Sequence, residues 1–120
     1  MIDHQTMLSK LSAEVQNSMT ARSIDIWIAI YNYVDKNQYA DCADADFIHS
    51  VQLNFKIAPR TISNHLRRMV RAGLLESWEG TVASGQIHRL FPLLTSSPPT
   101  RIIRYTLPGQ EPPKTLYRRE

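Results

Sequence analysis

Apolar residues recur at helical spacing in four separate stretches of this chain, after which the period changes. In residues 6–19, Leu8, Leu11, Val15 and Met19 alternate with polar positions and predict an amphipathic helix. Residues 22–37 are the most apolar stretch, with Ile24, Trp27, Ile28, Tyr31 and Val34 on one stripe and Ile26 and Ile30 widening it. Its β-branched residues also suit a strand. A run of this length without Gly or Pro nevertheless favours a buried helix, ending in a polar loop at Asp35-Lys-Asn-Gln. Residues 44–53 predict a short helix, with Asp44 or Asp46 as its cap and Phe47, Ile48 and Val51 inward. Leu53 and Phe55 are expected to close the turn that follows.

The fourth stretch, residues 58–72, is the most informative. Pro59 suits a first helical turn, where its missing N–H removes no bond. Gly73 suits a left-handed C-terminal cap. Between them Ile62, Leu66, Met69 and Val70 make the core-facing stripe. At roughly 100° per residue, Arg60, Asn64, Arg67 and Arg71 fall within an arc of about 60° opposite that stripe. No Asp or Glu lies between Ala58 and Gly73, so no i,i+4 ion pair neutralises this face. Guanidinium and amide groups so presented are the ones that read base edges and grip phosphates.

After Gly73 the pattern becomes strand-like. Residues 75–78 and 86–90 are strand candidates separated by a turn at 80–85, with Pro92 marking a strand end. Residues 95–100 read as a loop. In residues 101–107, Ile103, Tyr105 and Leu107 alternate with Arg104 and Thr106. A three-stranded antiparallel meander is the simplest arrangement. The predicted class is thus mainly α with a small antiparallel β-sheet (α+β). The organisation is a helix within residues 1–20, a domain over 21–107, and a Pro-rich, flexible basic tail over 108–120.

Charge sharpens this picture. Residues 1–55 carry three Lys/Arg and seven Asp/Glu, a net −4, whereas residues 56–120 carry eleven and four, a net +7. Such a molecule turns its basic half toward a polyanion. The rest of the composition is that of a globular chain, 42% hydrophobic and 21% charged. No apolar run approaches the ~20 residues that cross a bilayer. A single cysteine, Cys42, and no leader-like start lead us to expect a cytoplasmic protein, associated with the nucleoid.

The order helix, short helix, turn, arginine helix, small sheet, with Pro-Arg-Thr-Ile-Ser-Asn-His-Leu-Arg-Arg-Met and then Arg-Ala-Gly-Leu-Leu, resembles the winged helix-turn-helix domain of bacterial transcription regulators. The resemblance covers residues 21–107, with an extra N-terminal helix. It implies a recognition helix at 58–72 in the major groove and a wing within 75–107 on the adjacent backbone. Carried over by position, Pro59, Arg60, Thr61, Ser63, Asn64 and Arg67 form the major-groove set, with Arg71 on the same face. Lys56 and Arg68 hold flanking phosphates, and Gln86, His88 and Arg89 are the wing contacts. The chain departs from the family in having Lys56 where a turn glycine is usual and Ala58 where a hydroxyl N-cap is usual. Its wing is also longer than most.

Enzymatic chemistry finds little support in the sequence. His4, His49, His65 and His88 have no partner at metal-ligand spacing, and no phosphate loop, nucleophile elbow or paired carboxylate motif is present. His65, on the flank of the arginine helix, is assigned to packing, and Trp27 to the core. The expected partner is double-stranded DNA, with no cofactor, no metal and no membrane. Two other readings keep the fold: a protein-interaction module, or a replication or partition factor of a plasmid or phage. The stripe of the N-terminal helix lies either on the domain's own core or against a second copy in a homodimer.

Overall fold

The computed structural model describes residues 2–81, 101–110 and 116–118, and within them the architecture is α+β. The helices are α1 (His4–Ser9), α2 (Ala13–Ser18), α3 (Ala21–Asn37), α4 (Ala45–Gln52) and α5 (Pro59–Arg71). The strands are β1 (Ala40–Asp41), β2 (Glu76–Thr81), β3 (Arg101–Thr106) and β4 (Leu116–Arg118), in the sheet order β1-β3-β2-β4. All three pairings are antiparallel.

Side-chain caps explain most of the helix starts. Asp3, Ser12, Thr20 and Asp44 each accept a backbone N–H from the first turn that follows. Ser12 also explains why residues 6–19 form two short helices and not the single one expected. Its hydroxyl competes with the helical backbone and restarts the chain as α2. The corner is held by Gln16, whose Nε2 donates to the carbonyls of Leu8 at 2.7 Å and Leu11 at 3.0 Å.

That corner presses the N-terminal segment onto the domain itself. Met7 and Leu11 are buried in the common core, and Leu8, Val15 and Met19 pack against it half-buried. The stripe weighed as a homodimer seam is therefore occupied within the monomer. Around α3 the core gathers Ile24, Ile26, Trp27, Ile30 and Val34 with Phe47 and Val51 of α4, and Ile62, Leu66 and Met69 of α5. Leu74 and Leu75 close it from the strand side. Tyr33 and Phe47 meet across α3 and α4 with ring centroids 5.0 Å apart.

Several boundaries differ from expectation. Residues 35–37 belong to α3, which ends at Gln38 with φ at +75°. Leu53 is 72% exposed and does not close the turn before α5, a task left to half-buried Phe55 and Ile57. The sheet gains β1, tied to β3 by Arg104, whose Nε lies 3.7 Å from Asp41 and whose guanidinium covers the Tyr39 ring at 4.5 Å. Within 108–120, read from sequence as a flexible tail, residues 116–118 pair with β2 as β4. The strand candidate at 86–90 lies outside the described residues. Among the described residues no helix is long and apolar enough to cross a membrane.

Two positive-φ positions make a paired prediction. Gly73, at φ +82°, ends α5 without strain, whereas Gln38 adopts a comparable φ with a side chain. Urea unfolding should therefore show Gly73→Ala destabilised by about 1 kcal/mol and Gln38→Gly stabilised by a similar or smaller amount.

Candidate nucleic-acid interface

The rotation of α5 about its own axis is set by its buried stripe. Ile62, Leu66 and Met69 are wholly inaccessible, so residues on the opposite side must face outward. Arg60, Asn64, Arg67 and Arg71 are all exposed, as are Pro59, Lys56 and Arg68. Thr61 is half-buried at the edge of this face. Asn64 and Arg67 are joined, the Arg67 Nη2 donating to the Asn64 Oδ1. An open depression of roughly 570 Å³ runs along the helix, lined by Thr61, Asn64, His65, Arg67, Arg68 and Arg71.

Every charged side chain on α5 is an arginine. α5 has no acidic residue in its first turn and two arginines, Arg68 and Arg71, in its last. Ala58 provides no side-chain cap, so the first-turn amides point outward without a protein acceptor from that position. Asp41 and Asp44, on the segment that leads into α4, are engaged with Arg104 and the Ala43 amide and with the Asp46 amide respectively.

Ser63 differs from its expected neighbours. It is half-buried beside the Cys42 thiol and does not line the depression. Burial raises the pKa of that thiol, an effect that outweighs the opposing influence of the Ser63 hydroxyl. The structure thus brings together Arg60, Thr61, Asn64, Arg67, Arg68 and Arg71, with Pro59 and Lys56 at the helix entrance, and sets Ser63 apart. Gln86, His88 and Arg89 lie outside the described residues.

The sequence assigned His65 to packing and Trp27 to the core, and both are buried. Their mutual contact was not legible. The Trp27 indole Nε1–H donates to His65 Nδ1 at 3.0 Å. The Arg68 guanidinium lies over the same indole, 5.6 Å from the ring centroid. One tryptophan of α3 therefore holds two residues of the cationic helix. A Trp and a His separated by 38 residues carry no local pattern that would announce such a pair.

No known family, curated protein or solved structure matches the chain.

The buried pair makes stability depend on pH. Burial, and secondarily the Arg68 cation, push the His65 imidazole below its ordinary pKa. The unfolded chain then binds the proton more readily, so this stabilisation is complete above the ordinary histidine value and is lost as pH falls through the lower folded value. Asp3, held below its ordinary value chiefly by the Thr6 amide, titrates in a more acidic range. Urea unfolding should show wild-type stability falling as pH drops below the ordinary histidine range, about 6.5. A His65→Gln variant should lose that part of the profile, and equal slopes in the two proteins would contradict the assignment.

Proposed function

We propose that this chain is a sequence-specific, double-stranded DNA-binding transcription regulator of winged helix-turn-helix type, not an enzyme. The observation that carries the reading is the exposed, acid-free face of α5, on which Arg60 joins Asn64, Arg67 and Arg71, the last three lining an open depression. The order α3, α4, α5 and then antiparallel β2 and β3 agrees with the resemblance noted in the sequence. In this reading α5 enters the major groove. Arg60 and Asn64 discriminate bases, while Lys56, Arg67, Arg68 and Arg71 neutralise phosphates along the way. Work on the nucleoid in the cytoplasm follows from that partner. Dimerisation through the N-terminal segment forms no part of the proposal, because its apolar residues pack on the protein's own core.

The Asn64–Arg67 contact bears on how such a face reads sequence. A bidentate Asn contact to adenine uses both Oδ1 and Nδ2. Oδ1 has two lone pairs, so Arg67 can keep its bond and orient the amide while Asn64 engages a base, which couples the two residues.

Binding to generic duplex across a salt series, followed by selection from random duplexes, tests the proposal. Affinity should fall steeply with salt, and Arg67→Ala should reduce the slope by about one. Lys56→Ala should weaken all sequences alike. Arg60→Ala and Asn64→Ala should relax the selected sequence by ~1–3 kcal/mol per base pair. The Asn64→Ala, Arg67→Ala double variant should lose less than the sum of its parts. Absence of duplex binding even at low salt would overturn the proposal in favour of a protein-interaction module. Selection of iterated sites would instead point to a replication or partition factor.

A further inference from the structure

His65 is 7% exposed, yet it lines the depression on α5. A tryptophan indole nitrogen only donates, so the His65 Nδ1 that receives it must carry a lone pair. A neutral imidazole with an accepting Nδ1 has its proton on Nε2. That leaves Nε2–H as a donor with no hydrogen-bond partner among the described residues. Thr61, His65 and Arg68 follow one another at i, i+4 and i+7, a single ridge along the helix bordering the depression. Arg68 is steadied on that ridge by the indole ring beneath it. A hydroxyl, a fixed N–H and a guanidinium in a row suit a tetrahedral oxyanion.

Resting on the duplex-binding reading above, we propose that His65 is a neutral, tautomer-locked donor to one phosphodiester oxygen of the bound DNA. Arg68 and Thr61 share the same phosphate, and Trp27 is the positioning residue for both His65 and Arg68. The charged group acting on the imidazole is Arg68, from its own helix, and the element packed against it, α3, presents the uncharged Trp27. The ring therefore contributes a hydrogen bond and no counterion release.

Generic duplex DNA suffices for the test, because a phosphate contact is blind to sequence. His65→Leu should weaken binding about tenfold on every duplex, the equivalent of one hydrogen bond to a charged acceptor, with an unchanged salt slope. Arg68→Ala should lower that slope by about one. His65→Gln, which can accept from Trp27 and still donate outward, should recover most of the affinity lost in the leucine variant. Imidazole nitrogen NMR of the wild-type protein needs no variant to fold. It should show protonated Nε2 and bare Nδ1 in the free protein, and the Nε2 proton should shift and gain protection from exchange when duplex is added. An Nδ1–H tautomer, an Nε2 proton indifferent to DNA, or wild-type binding by His65→Leu would each overturn the inference. If His65→Leu binds normally while Arg67→Ala does not, this inference alone fails. If the wild-type protein binds no duplex, the underlying reading falls with it.

Discussion

Burial of three side chains, Ile62, Leu66 and Met69, governs how this protein meets its surroundings. Fully burying such residues contributes about 1.5–3 kcal/mol each, which fixes the angle at which α5 lies on α3 and α4. Rolling the helix by one position would carry Arg67 or Arg68 inward. There an unpaired charge would cost several kcal/mol. The outward cationic face is thus a consequence of core packing and needs no separate device to hold it. Trp27 extends the same control to the flank, where the indole joins the interior to both His65 and Arg68.

The electrostatic asymmetry of the chain has a matching structural division of labour. Three aspartates of its acidic half cap helices or brace the sheet: Asp3 at α1, Asp44 at α4, and Asp41 against Arg104. Each carboxylate so engaged lies off α5 and leaves that helix uncompensated. Ser63 lies outside the depression, half-buried beside Cys42 at the end of β1.

What could be read from the sequence was whatever repeats within a few residues. α3, α4 and α5 were legible because their apolar positions keep a helical period and because Asp44, Pro59 and Gly73 punctuate them. The break after Ser9 was hidden because an apolar stripe continues across it, and the Ser12 hydroxyl decides only locally. β1 is two residues long and exists because β3 offers it an edge, so no pattern of its own marks it. β4 follows a proline-rich stretch and is likewise defined by its partner, β2. The exposed arginine face was visible from spacing alone. The Trp27–His65 bond spans two helices and depends on their packing, so it emerges only with the tertiary structure.

Ala58 carries a consequence for how α5 begins. Among the described residues four helices begin under a side chain that accepts from their first turn, and α5 does not. The missing cap is worth about 1 kcal/mol, and the opening turn is held instead by Pro59 at its first position and by the wholly buried Ile62. The far half of α5 is clamped by Leu66, Met69 and the indole beneath Arg68. The start of this helix thus depends on a proline ring and a buried isoleucine where the other four rely on a polar cap.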